Sequence, residues 1–103
     1  MIAALVTFET QGKITSEEAA QKFNSTAPNY RGRAGLLSKA YVYREDGNVL
    51  GGFYVWESRE HAESQYTDSW KARATEIYGI APQIVYFEVP VYIQNEVPAA
   101  VGD

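Results

Sequence analysis

A lysine set among aromatic residues at alternating positions is the feature of this sequence best suited to chemistry. Lys39 and Tyr41 stand two apart in one apolar run, and Gly52, Tyr54 and Trp56 stand two apart in the next. Between the runs, Asp46-Gly47 suits a tight hairpin turn of the primed type. A turn centred there sets Lys39 against Tyr54, Tyr41 against Gly52 and Leu37 against Trp56. Side chains alternate along a strand, so these pairs share one face. Flat aromatic walls with polar tips suit an aromatic ligand, and their alternative role is ordinary core packing. A lysine directed into a covered face must pair, snorkel or lose its charge. In that setting it can stabilise an enolate or phenolate, the anion that must form before uncatalysed attack on oxygen. At an open end of the face it is only a solvated side chain. Lys39, Tyr54 and Trp56 are therefore the candidate catalytic group.

Other residues join them as candidate binding groups. Tyr66 and Trp70 stand four apart, on the helix stripe that should cover this face of the sheet. Gly52 leaves space beside them, and the pair Gly51-Gly52 makes room for a bend or a ligand. His61 is the single histidine, the residue type suited to acid–base work at neutral pH, although the first turn of a helix points to an exposed position. Arg31 and Arg33 either flank a cavity mouth, attracting an acidic substrate, or belong to the surface. Glu57, Glu60 and Glu63 have the spacing of a solvated helix start, and with no second histidine no metal site is expected. The Glu45-Asp46-Gly47-Asn48 turn lacks the ligands that would complete a calcium loop. There is no G-x-S-x-G, phosphate-binding loop or dinucleotide fingerprint.

The elements that must position these residues follow from periodicity. Ile2 to Glu9 reads as a strand, with Ile2, Ala4, Val6 and Phe8 on one side and Ala3, Leu5 and Thr7 on the other. Thr15-Ser16-Glu17-Glu18 has the form of a capping box for a helix carrying Ala19, Ala20, Phe23 and Ala27, stopped by Pro28-Asn29. Ser58 suits the N-cap of one second helix, whose stripe is Ala62, Tyr66, Trp70, Ala74 and Ile77 or Tyr78. Gly79 and Pro82 end it. Gln83 to Ile93 reads as a last strand, and Pro90 argues for an edge or a bulge. The order β-α-β-β-α-β is that of a ferredoxin-like α+β plait.

Length and composition set bounds on this reading. The 103 residues suffice for one domain, expected over residues 1–93 with a tail at 94–103. The net charge of −4 without a basic run argues against nucleic acid, and the absence of cysteine removes thiolate chemistry and disulfides. The apolar start lacks a basic leader, so it reads as a strand and not as a signal or membrane span, and a cytoplasmic protein is expected. Two helices cover only one face of a four-stranded sheet, yet the strands are apolar on both. A face-to-face homodimer is the simplest solution, with the tail lying along the partner through Val97 and Val101.

Several pieces together resemble the YdhR-like monooxygenases of the dimeric α+β-barrel superfamily. They are Gly35-Leu36-Leu37-x-Lys39, Gly51-Gly52-x-Tyr54-x-Trp56, Ala62, Ile77-x-Gly79-Ile80 and Glu88-Val89, with Phe8 and Gly12 fitting more weakly. The resemblance implies a homodimer whose two sheets form a barrel with the helices outside and a cavity in each subunit. It also implies an oxygen-dependent activity on a small aromatic or quinol-like molecule, with no metal or flavin cofactor. Antibiotic-biosynthesis monooxygenases have an asparagine four residues before the tryptophan, where this chain has Gly52. Haem-degrading relatives have a helical tryptophan followed by histidine, whereas here His61 precedes Trp70. The alternative is a small-molecule-binding protein or isomerase on the same scaffold, without oxygen chemistry.

Overall fold

Apolar residues on both sides of the first strand, β1 (Ile2–Glu9), suit an interior position, and β1 lies between two neighbours. The structure, a computed structural model, describes residues 1–95. Its antiparallel sheet has the order β2-β3-β1-β4, with β2 at Leu36–Tyr43, β3 at Val49–Trp56 and β4 at Gln83–Glu88. The helices cover one face, on which Ala4, Val6, Phe8, Leu50, Tyr54 and Trp56 form the core. This is the ferredoxin-like α+β arrangement. Among the described residues no helix is long and apolar enough to cross a membrane.

Local chemistry sets the boundaries. In α1 (Ser16–Thr26) the Thr15 hydroxyl accepts from the Glu18 amide, and the Glu18 side chain accepts from the Thr15 amide, as the capping box requires. The α-helix stops one residue short of Ala27, and a 3₁₀ turn over Ala27–Asn29 replaces its expected last turn.

The hairpin keeps the expected pairs Lys39–Tyr54 and Tyr41–Gly52 but departs from expectation at both ends. Leu36, not Leu37, opposes Trp56, because a bulge falls between Leu36 and Ser38. The turn is a four-residue loop with positive φ at Gly47 alone, and the Asp46 carboxylate accepts from the Asn48 amide. The Arg44 amide donating to the Val49 carbonyl closes this loop at 2.8 Å, so the register survives the change of turn type.

The second helix is two helices, α2 (Arg59–Gln65) and α3 (Asp68–Tyr78), and not one. Thr67 breaks the run by taking an extended backbone and accepting from the Trp70 amide as a new N-cap. The left-handed Gly79 ends α3. The last strand stops at Glu88, well before Ile93, and forms one edge of the sheet, as Pro90 suggested. Beyond it the Tyr92 hydroxyl donates to Ser38 Oγ on β2, the opposite edge, at 3.1 Å. Val97 and Val101 lie outside the described residues. The helix-free face exposes Val42, Phe53, Val85 and Phe87.

Candidate functional site

Between the helices and the sheet lies a cavity of about 230 Å³. Lys39, Tyr41, Gly52 and Tyr54 line it from the hairpin, Tyr30 from the loop after α1, and Trp70 from α3. Cross-strand pairing and alternation bring the hairpin residues together. The break between α2 and α3 leaves Trp70 on the inward face of α3, and its indole Nε1 donates to the Tyr30 hydroxyl at 3.1 Å. That bond joins the wall to the roof. Thr26 Oγ1 and the Tyr41 hydroxyl stand 2.7 Å apart in a second hydrogen bond along the wall.

Lys39 sits at the centre of a ring of tyrosines. Its Nζ is 3.3 Å from the ring centre of Tyr30, 3.9 Å from that of Tyr41 and 4.4 Å from that of Tyr54. The ring faces attract an ammonium. No aspartate or glutamate lines the cavity among the described residues, however, and burial disfavours the charge. Burial therefore brings the Lys39 pKa down to about 7. The same burial pushes the phenols of Tyr41 and Tyr54 above their ordinary range, so they stay neutral donors. The site thus combines an amine poised at neutral pH, neutral phenols and flat aromatic walls.

The two glycines of β3 have separate reasons. A Cβ at Gly51 would stand 1.8 Å from the Val6 carbonyl oxygen, so the close approach of β1 requires glycine there. A Cβ at Gly52 would stand 3.1 Å from Lys39 Cε and 3.0 Å from Tyr54 Cε1. Glycine at this position gives the lysine stem its path into the tyrosine ring.

Of the sequence-derived candidates, the structure gathers Lys39, Tyr41, Gly52, Tyr54 and Trp70 around the cavity. Trp56 and Tyr66 stand behind its wall in a packed layer. The Trp56 indole is fully buried and donates to the Tyr66 hydroxyl at 3.1 Å. His61 lies elsewhere, with Nδ1 2.8 Å from Ser58 Oγ and its ring against Gly35, where a Cβ would collide with it. Arg33 donates to Gln65 Oε1 and Ser64 Oγ, fastening the start of β2 to α2. Arg31 borders a separate outer hollow that shares Tyr30, Lys39 and Tyr41 with the cavity. Sequence reasoning missed Tyr30 and Arg73 as lining residues. Tyr30 follows Pro28 in an aperiodic loop and gave no signal. Arg73 stands three residues beyond Trp70 on the same helix side, a spacing that offered a clue. Among the described residues no group of three or more histidines, aspartates or glutamates is placed to hold a metal.

Comparison with known proteins places this geometry in context. A family model described as "Putative mono-oxygenase ydhR" matches residues 4–91. Among solved structures, the chain is similar to the monooxygenase from the gene ActVA-Orf6 of Streptomyces coelicolor, solved with the ligand nanaomycin D. That match has 21% identity over 92% of each chain and a TM-score of 0.67. It is also similar to SnoaB, a cofactor-independent oxygenase from Streptomyces nogalater, at 13% identity over 91% of this chain and 97% of that one, TM-score 0.64. NE2512 from Nitrosomonas europaea, of unknown function, gives 14% identity over 93% and 95%, TM-score 0.68. At such identities these likenesses speak to the fold. No curated protein matches the chain.

Proposed function

The chain belongs to the ydhR mono-oxygenase family, and from that premise we propose that it oxygenates a small hydroxyaryl or quinol-like molecule in the Lys39 cavity without metal or flavin. The observation that carries this reading is a lysine with no counter-ion, enclosed by aromatic rings beside open space. The cavity is smaller than the roughly 300–1,000 Å³ of drug-sized sites, which suits one or two fused rings.

The substrate itself supplies the electrons. The Lys39 amine accepts the phenolic proton, and the resulting ammonium stays beside the phenolate. The phenolate gives one electron to dioxygen, and the two radicals combine at the para carbon as a peroxide. Loss of that carbon's proton with cleavage of the O–O bond leaves a quinone, and the proton from Lys39 completes water. For 1-naphthol the sum is C10H8O + O2 → C10H6O2 + H2O. The amine is the working form, so kcat/KM should rise with pH through about 7 and level above it. Tyr54 and Tyr41 donate to the developing oxyanion, and Trp70 stacks on the ring.

The working assembly is a homodimer closed through the helix-free face. Val42, Phe53, Val85 and Phe87 form an exposed apolar band there, and covering it gives the association its driving force. Light scattering should give twice the chain mass, and Phe53→Glu should return the monomer. The decisive experiment supplies 1-naphthol and ¹⁸O₂ to the purified protein. One labelled oxygen in the new carbonyl of 1,4-naphthoquinone, with matching oxygen uptake, is the expected result. Binding without uptake would leave the protein a binder or isomerase and sink the oxygenase reading.

A further inference from the structure

The ionisable lining of the cavity points to a feature of the ligand that the reaction does not require. The chain has 13 acidic and 9 basic residues, yet the two basic residues that line the cavity, Lys39 and Arg73, face no acid among the described lining residues. Lys39 belongs to the sheet and Arg73 to α3, so the two cations border the space from opposite layers. The outer hollow beyond the Tyr30–Lys39–Tyr41 wall repeats the pattern, with Arg31 as its charged residue and again no acid among the described lining. Among the described residues the single ion pair is Arg44–Asp46, in the hairpin loop. Arg73 therefore has no ion-pair partner among the described residues, and at the cavity border its guanidinium is open to an anionic occupant. In a chain of net charge −4, a cation-only cavity favours anions locally and draws them in.

We propose that the ligand is an aromatic acid, with its hydroxyl at Lys39 and a permanently ionised carboxylate at the other end of the ring system, held by Arg73. This rests on the hydroxyaryl reading of the cavity and deepens it. Lys39 near its neutral form cannot supply a fixed positive charge, whereas a guanidinium remains charged and presents a planar fork to a carboxylate. Arg73 also stands one turn from Trp70, so the ring that stacks on the indole has its substituent within the helix's reach. The division of labour is chemical: one basic group that exchanges its proton with the reacting hydroxyl, and one guanidinium that fixes orientation.

The test is binding without turnover. Calorimetric titration under nitrogen compares 6-hydroxy-2-naphthoate with its methyl ester, which keeps the ring and the hydroxyl and removes the charge. The acid should bind about tenfold more tightly, the worth of one charge-assisted contact. Arg73→Gln should erase that preference while leaving the affinity for the ester unchanged. Arg73→Lys should restore part of it, and Arg31→Gln should keep it in full. Arg73 is exposed on the helix, so folding is unaffected by these changes. Equal binding of acid and ester, or a preference that survives Arg73→Gln, overturns this inference and leaves the oxygenase reading intact. Failure of both compounds to bind overturns the cavity reading and this inference together.

Discussion

The two tryptophans of the chain touch the same tyrosine and stand in opposite surroundings. Tyr66 meets the Trp56 ring edge-on at 6.0 Å and the Trp70 ring at 5.1 Å. On the Trp56 side every polar tip has an internal partner and the indole has no exposure. On the Trp70 side the rings meet edge to edge yet leave about 230 Å³ of space beside a lysine. Residue type does not separate the two regions, since both are built from tyrosine and tryptophan. What separates them is unfilled volume together with a buried group that burial penalises. Packing explains the first region completely, and it leaves the second without a purpose unless something binds there.

The sharpest way to break this comparison is Lys39→Met. Activity should fall by about 10²–10⁴-fold, the usual worth of a positioned acid–base group. Stability should move the other way. The folded-state pKa near 7 lies below the ordinary 10.5, so between these values the unfolded chain binds more protons. The wild type should therefore gain stability as pH rises above 7, while below 7 it bears the full cost of burying the amine. Each pKa unit is worth about 1.4 kcal/mol, so methionine should stabilise the fold at pH 6 by several kcal/mol and remove the pH slope between 7 and 9. A variant that keeps its activity or loses stability would place Lys39 with the packed layer.

Next in size is the contrast between the tryptophans. Trp56→Ala should cost about 3–5 kcal/mol in denaturant unfolding, as expected for a fully buried ring. Trp70→Ala, at a half-buried wall, should cost less and should abolish the calorimetric signal of naphthol binding instead. If the two variants behave alike, the division into packed layer and hollow is wrong. The smallest effect is expected at Gly52→Ala. Its new Cβ presses on the far end of the lysine stem and on the Tyr54 ring, so unfolding should shift by about 1–2 kcal/mol, toward the low end for overpacking. The midpoint of the pH–rate profile should move measurably, because Lys39 is displaced within its ring.

Much of this layout was legible in the sequence. Alternation in two short runs, with Asp46-Gly47 between them, was enough to set Lys39 opposite Tyr54 and Tyr41 opposite Gly52. Thr15 and Glu18 announced their cap. The features that were not legible depend on contacts distant in the chain. The bulge at Leu37 follows a glycine whose missing Cβ makes room for His61, a residue on α2. The break before α3 turns on whether Thr67 caps a new helix or continues the old one, and propensity alone does not decide between these. Tyr30 reaches the lysine from a loop with no period, so its part in the site emerges only when Trp70 Nε1 holds it in place. The Trp56 stripe looked like a wall from sequence alone because alternation gives the face of a side chain and not the depth of empty space beside it.

The order in which the lysine's surroundings are assembled has a consequence for folding. The three rings around Lys39 come from residues 30 to 54, a short stretch that closes with the hairpin and small loops. The roof over them comes from α3, later in the chain. A hairpin without that roof leaves the amine wet, with an ordinary affinity for protons. Docking of α3 is then the step that removes water, and below pH 7 it must expel a proton or enclose a charge. If α3 docks after the hairpin has formed, refolding followed by tryptophan fluorescence should slow as the pH falls from 7 to 6, and a rate independent of pH would exclude that order.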